Sequence, residues 1–254
     1  MTLTTELVLS LPVNVRDLGG ITARGGLVRS GVAIRADDLS VVTPEYAKEL
    51  VDSGLVAIID LRSQEEVGFT GRGAFAGHPV AYHHLPLMVS LGAAMNEERA
   101  FNDPGEFGRD YAAMFERAAP ALVTALSIIA LAPGAVAFHC SAGKDRTGVL
   151  AAALLLALGV ADADIVADYG DTAPNIDLIH ARIRPVMSVL MERLGIELDA
   201  AAQAAAAEKP FDEQAMVQML ELLRERHTDP LAPLREAGLT ESLIAVLRAK
   251  ALSV

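Results

Sequence analysis

Ala135-Val136-Ala137-Phe138-His139-Cys140-Ser141-Ala142-Gly143-Lys144-Asp145-Arg146-Thr147-Gly148 changes character midway, and that change sets the fold. The apolar run 135–138 predicts a short buried strand, and 149–158, closed by Gly159, predicts a buried helix. The loop between them contains the only cysteine of the chain. A strand-to-helix turn directs several backbone N–H groups at one point, and the helix dipole adds positive potential there. The five residues between Cys140 and Arg146 are enough to wrap once around a phosphate-sized anion. Sulfur then lies at the bottom of the cup and a guanidinium at its rim, where a planar fork can bond two oxygens at once. Such surroundings favour the thiolate, the form that attacks. A small buried hydrophobe is the plainer reading of a lone cysteine. It leaves the clustering of Gly, Lys, Asp, Arg and Thr at one turn unexplained.

Outward from this turn, apolar runs at 55–61 and 80–85 predict further buried strands, with a shorter one around Leu27-Val28. Thr43-Pro44-Glu45 starts a helix with a capping hydroxyl and a proline in the first turn, and Gly54 closes it. A helix over about 109–131 leads into the strand at 135–138. Strands alternating with helices predict an α/β fold, a central mostly parallel sheet flanked by helices on both faces. Ligands of such sheets bind at the carboxyl ends of the strands, where Asp60-Leu61-Arg62 and Cys140 both fall. The rest is helical. Asp162 is placed to cap a short helix ending near Tyr169, and Ile176, Ile179, Ile183, Val186, Leu190 and Leu194 form a stripe with a kink at Pro185. The Ala-rich 200–207 reads as helix or connector, and two more helices are expected at about 212–226 and 240–251. We expect a single domain over 1–254, an α/β core to about 160 and a helical carboxyl-terminal part beyond it. Met216 and Met219 there read as a lid over the site or, more simply, as core.

The 254 residues are 52% hydrophobic but 4% aromatic, without Trp, so Ala, Leu, Val and Ile must build the core. A formal charge of −12 argues against a general nucleic-acid or anionic-membrane binder. A phosphorylated substrate must be attracted by a local cluster. The lone cysteine excludes an internal disulfide and fits a reducing compartment, so a cytoplasmic location is expected, with unconventional export left open. Residues 1–13 carry Glu6 and no basic region, unlike a signal peptide. The apolar stretch 119–138 approaches the length of a membrane span, but Pro133-Gly134 divides it into helix and strand. No stable membrane insertion is expected.

The Cys-x5-Arg pattern resembles the signature of the protein tyrosine phosphatase superfamily. The fuller HCxAGKDRTG string is similar to the bacterial tyrosine/serine and phosphoinositide phosphatases, with Lys and Asp inside the loop. Asn14-Val15-Arg16-Asp17-Leu18-Gly19-Gly20 resembles the N-x-R-D-x-G-G motif of that branch, Arg29-Ser30-Gly31 its R-S-[GA], and Asp60-Leu61-Arg62-Ser63 its D-L-R-S. The order and spacing agree from about residue 14 to the carboxyl end.

The resemblance implies a cysteine-dependent phosphomonoester hydrolase working through a phosphocysteine on phosphotyrosine or phosphoinositide, without cofactor or metal. Cys140 is then the nucleophile and Arg146 the stabiliser of phosphoryl charge. Ser141, Ala142, Gly143 and Lys144 bind substrate, and Thr147 offers its hydroxyl to the sulfur. His139, Asp17, Asp60 and Arg62 support the loop. Some members of the branch have an Asp soon after a Leu-Pro at a strand end, but Leu85-Pro86-Leu87-Met88-Val89-Ser90 contains no carboxylate. Asp145 therefore becomes the leading proton donor, alongside a purely structural role, with Asp17 and Asp60 behind it. Lys144 adds charge for a second phosphate or an acidic headgroup. An inactive phosphate-binding relative and a rhodanese-like sulfurtransferase are the alternatives.

Overall fold

In the computed structural model, residues 7–88, 107–196 and 211–253 are described. The chain forms β1 (Arg16–Asp17), β2 (Thr22–Ala23), β3 (Gly26–Val28), β4 (Ala33–Ala36), α1 (Pro44–Asp52), β5 (Leu55–Asp60), α2 (Gln64–Thr70) and β6 (Ala81–His84). Then follow α3 (Phe107–Arg117), α4 (Ala119–Leu131), β7 (Ala135–His139), α5 (Asp145–Leu158), α6 (Asp162–Gly170) and α7 (Ile176–Arg193). The series ends with α8 (Gln214–Arg226), α9 (Ala232–Glu236), α10 (Glu241–Ala251) and β8 (Leu252–Ser253).

Five strands make the main sheet in the order β1-β4-β7-β5-β6. The β1–β4 pair is antiparallel and the other three pairs are parallel, so the expected mostly parallel α/β sheet is what forms. Its central strand, β7, is buried at every residue. Val136 and Phe138 join a core shared with α3, α4 and α5, whereas Ala137 joins Leu39, Ile58 and Phe75 on the opposite face. Alternation of side chains along a strand thus serves two apolar layers at once. Helix α5 is buried over nearly all its length, consistent with its lack of a polar stripe, and Gly159 ends it in the left-handed conformation at φ +81°.

Three local expectations change. The helix expected over about 109–131 is two helices, α3 and α4, bent by 73°. Pro120 in the first turn of α4 has no N–H to give and its ring would clash with the preceding turn, so one helix cannot continue through it. No single described helix is long and apolar enough to cross a membrane. Strand β4, beside β7, was unforeseen because buried Arg35 interrupts its apolar pattern. Asp162 is the first residue of α6 rather than its cap, and its carboxylate pairs with Arg224 instead.

The carboxyl-terminal helices are tied back to the α/β core. Lys250 Nζ donates to the carbonyls of Ile129, Ala132 and Gly134 at 2.6, 2.7 and 3.1 Å. β8 pairs with β3 in a second, three-stranded sheet. Met216 and Met219 are buried in the same core as α5, which makes them packing residues. Residues 200–207 lie outside the described residues.

Candidate active site

The loop from Cys140 to Lys144 connects the end of β7 to the start of α5, and its carbonyls are held from outside. Asp38 N–H donates to Ser141 O at 3.1 Å. Asn14 Nδ2 donates to the carbonyls of both Ala142 and Gly143 at 3.2 Å, and an Arg35 guanidinium nitrogen donates to Gly143 O at 3.0 Å. In a planar trans peptide the C=O of one residue and the N–H of the next point in opposite directions. Carbonyls of residues 141, 142 and 143 fixed outward therefore turn the N–H groups of Ala142, Gly143 and Lys144 inward. This makes an anion-binding nest at a helix start. Gly143 permits it: its φ is +65°, and a Cβ there would lie 2.6 Å from Ala36 O and Asp37 N.

The donors are themselves braced. Arg16 bonds Asn14 Oδ1 and Asp168 Oδ1, each at 2.9 Å, while Arg35 pairs with the other oxygen of Asp168. Burial alone would raise the Asp168 pKa, but Arg35 and Arg16 outweigh it and hold the carboxyl below its usual range. The Asn-x-Arg motif near residue 14 thus acts as a brace for the phosphate loop.

The buried Cys140 Sγ accepts a hydrogen bond from Thr147 Oγ1 at 3.2 Å, the contact expected from the sequence. Arg146 is fixed by Glu66, with guanidinium–carboxylate distances of 2.5 and 3.0 Å, and Ser141 Oγ donates to the same carboxylate. Glu66 stands at the third position of α2, where its carboxylate also accepts Ser63 N–H at 2.7 Å to complete a capping box. Burial would raise the Glu66 pKa; Arg146 and the Arg146 and Ser141 hydrogen bonds overcome it and bring it down to about 2. A two-point ion pair uses one edge of the guanidinium and orients the rest of it before any ligand arrives.

Beneath the loop lies a second buried ionic network. Arg62 bonds Asp60 Oδ2 at 2.6 Å, Asp38 Oδ2 at 3.1 Å, Ser40 and Thr70 hydroxyls at 2.7 Å, and Gly71 O at 3.0 Å. Tyr82 OH adds a bond to Asp60 at 2.7 Å. His139 Nδ1 lies 3.3 Å from both Leu39 N and Cys140 O, and Nε2 lies 3.5 Å from Asp60 Oδ2. Burial pushes the His139 pKa down, so the ring is a neutral spacer. Its polar partners are Asp60 and backbone, so it orients the loop from below and makes no hydrogen bond to sulfur. Asp17 accepts the N–H groups of Gly19 and Gly31 at 2.6 Å, a backbone anchor. Neither Asp17 nor Asp60 is brought to the nest as a proton donor.

Lys144 and Asp145 stand where the loop enters α5. Asp145 Oδ1 accepts the Tyr111 hydroxyl and lies 3.5 Å from Lys144 Nζ. Burial acts to raise the Asp145 pKa, but Lys144, the Tyr111 bond and Arg146 prevail, so the free carboxyl is ionised. The Lys144 ammonium lies over the rings of Phe107 and Phe211, 5.2 and 5.8 Å from their centroids, neither buried in the nest nor free in solvent.

Glu66, Asn14, Arg35, Asp168 and Tyr111 were not singled out in the sequence as parts of the site. Asn14 stood in the quoted Asn-x-Arg motif without a role, and Glu66 had a local signal in the Ser63-x-x-Glu66 spacing of a helix start. The others act across more than a hundred residues, or from inside a core, where spacing along the chain conveys nothing. Among the described residues no cluster of His, Cys, Asp and Glu has the makings of a metal site.

Comparisons with known proteins give the chain its relatives. A protein of Cupriavidus necator named provisionally as a tyrosine-protein phosphatase is 34% identical over 179 residues, 65% of this chain and 62% of its own. A tyrosine-protein phosphatase of Nostoc commune is 30% identical over 156 residues, 61% of this chain and 52% of its own. The chain thus spans between half and two thirds of those relatives. The triple specificity protein phosphatase PtpB of Mycobacterium tuberculosis is 28% identical over 215 residues, 73% of each chain. The crystal structure of a cysteine-to-serine variant of P. aeruginosa TpbA in complex with pTyr is 13% identical and covers 82% of this chain and all of that one, at a TM-score of 0.35. A profile described as the tyrosine phosphatase family matches residues 7–253. With every described residue inside that match, the chain belongs to the tyrosine phosphatase family.

Proposed function

We propose that this protein hydrolyses phosphomonoesters through a phosphocysteine. The single observation that carries the reading is the loop itself: Cys140 opens it, the carbonyls of Ser141, Ala142 and Gly143 are held from outside, and Arg146 is clamped by Glu66. Cys140 thiolate attacks phosphorus as the bond to the leaving oxygen breaks, and the amides and Arg146 stabilise the equatorial oxygens. Asp145 gives its proton to the leaving oxygen. Ionised in the free enzyme, it takes up that proton when a phosphoryl dianion enters, because a neighbouring like charge raises a carboxyl pKa. In the second step it accepts a proton from the water that displaces Cys140 from phosphorus. A thiol nucleophile works in a reducing compartment, and the cytoplasm belongs to the same proposal.

Phosphotyrosine and phosphoinositide are the proposed substrates. Apolar side chains of Phe69, Ile183, Val186, Met187 and Leu190, with Arg62 and Arg182 among them, line a narrow cleft that adjoins Ser141 and Glu66, a surface against which an aryl leaving group could pack. Lys144, beside Asp145 at the end of the loop, supplies a cation for a second acidic group. Phosphopeptides and phosphoinositides assayed side by side test this. Lys144→Ala is expected to lower phosphoinositide turnover more than phosphotyrosine turnover, by about 10-fold or more if one charge-assisted bond is lost. Asp145→Asn is expected to slow alkyl phosphates far more than aryl phosphates, whose leaving groups depart without a proton. Equal losses on both would make Asp145 structural. Thiosulfate-to-cyanide transfer, or binding without turnover, would instead mean a sulfurtransferase or an inactive relative.

A further inference from the structure

Two tyrosines from outside the loop converge on Asp145. Tyr111 of α3 and Tyr169 of α6 are each fully buried, their rings edge-on at 6.1 Å between centroids and their hydroxyls 2.9 Å apart. Phenylalanines would fill the same apolar space without a polar atom to satisfy. Burying a hydroxyl is costly unless it is hydrogen-bonded, and here the Tyr111 hydroxyl donates to the carboxylate of Asp145. Since that proton goes to Asp145, the Tyr169 hydroxyl must donate to Tyr111. Both the Tyr111 contact and the Lys144 contact fall on Oδ1. A proton on Oδ1 would forfeit the Tyr111 bond.

We infer that Tyr111, backed by Tyr169, is a positioning residue that confines the transferable proton of Asp145 to Oδ2 and makes that acid stronger. The inference rests on the proposed role of Asp145 as proton donor. Burial first, and then the Asp145 charge, raise the Tyr111 pKa, so its hydroxyl stays a donor throughout the working range. Among the described residues, Lys144, Arg146 and His180 also act on this carboxylate electrostatically, and Arg35 and Asp212 act on Tyr169. None replaces a neutral donor aimed at Oδ1. The Tyr169 hydroxyl has its own bond to Tyr111, so the pair ends in the core and acts as a brace rather than a path for protons.

The test is the pH dependence of kcat for Tyr111→Phe on an alkyl and an aryl phosphate, beside wild type, Tyr169→Phe, Asp145→Asn and the Tyr111→Phe/Asp145→Asn double variant. For Tyr111→Phe the basic limb of the alkyl profile is expected to move up by about 1 pH unit, the scale of one hydrogen bond to a charged group. Alkyl turnover at the optimum should fall about 10-fold, and aryl turnover much less. Tyr169→Phe should move the limb the same way by less, which covers any folding defect of the first variant. In the double variant, Tyr111→Phe should add nothing to the alkyl loss caused by Asp145→Asn. An unmoved limb in both tyrosine variants, while Asp145→Asn still separates alkyl from aryl substrates, overturns the brace and leaves the acid in place. Equal alkyl and aryl losses for Asp145→Asn itself overturn both.

Discussion

Cys140→Ser is expected to cut phosphate release by on the order of 10⁴-fold or more, the scale on which removal of an enzymatic nucleophile is felt. Phosphate or vanadate should still bind, because the amides of Ala142, Gly143 and Lys144 owe their direction to Asn14, Arg35 and Asp38 and not to the sulfur. Serine is nearly the shape of cysteine but remains a neutral hydroxyl. Thr147, which donates to Sγ at 3.2 Å, can donate to Oγ instead. Arg146→Lys should also lose most activity, since an ammonium cannot both meet the two oxygens of Glu66 and present a fork to phosphoryl oxygens. Calorimetric binding with single-turnover kinetics would separate these outcomes. Near wild-type turnover in either variant would falsify the phosphocysteine mechanism.

The second large effect is expected at Glu66. Glu66→Ala leaves the Arg146 guanidinium buried without its counter-charge, a loss of about 3–5 kcal/mol by analogy with other broken buried pairs. Activity should fall about 100-fold, because the fork is no longer oriented before substrate arrives. Vanadate should raise the melting temperature of the variant more than that of wild type, since the oxyanion supplies the missing charge. The wild-type pair also has a pH signature. The Glu66 pKa is lowered in the folded state to about 2 from its ordinary value, so its stabilisation is complete above that ordinary value. It is lost as pH falls towards about 2. Melting curves across acid pH should therefore be steeper for wild type than for Glu66→Gln. A Glu66→Ala variant that keeps wild-type kcat/KM, with no added response to vanadate, would remove Glu66 from the site.

The two large predictions differ in how they could have been foreseen. Cys140, Arg146 and Thr147 lie within one turn of chain, between an apolar strand and an apolar helix, so their meeting is a local matter that spacing reveals. The parallel sheet was legible for the same reason, through the buried runs that became β5 and β7, whereas the run at 80–85, expected to be buried, became the edge strand β6, exposed or half-buried throughout. Glu66 was visible as a helix start, but its second use, clamping Arg146, depends on where α2 lands relative to α5. Arg35 and Tyr111 were hidden by context. A charge inside a strand blurs the pattern that would announce the strand, and a tyrosine among leucines reads as core until its hydroxyl is given a partner. The break between α3 and α4 was available in Pro120 and was outweighed by the apolar length on either side of it.

The brace around the loop also bears on the order in which the molecule is assembled. Asn14 meets Ala142 and Gly143 across 128 and 129 positions, Arg35 meets Asp168 across 133, and Arg16 meets Asp168 across 152. Contacts this distant along a chain close slowly, after the local helices have formed. During refolding, helix α5 would then exist while the loop carbonyls are still unheld and the amides are still undirected. A chain in that state possesses its thiol and its arginine but has no cup. Stopped-flow refolding that shows helical signal recovering before vanadate binding would reveal this lag, and simultaneous recovery would exclude it. Competence would arrive last, and all at once, when the opening segment of the polypeptide docks.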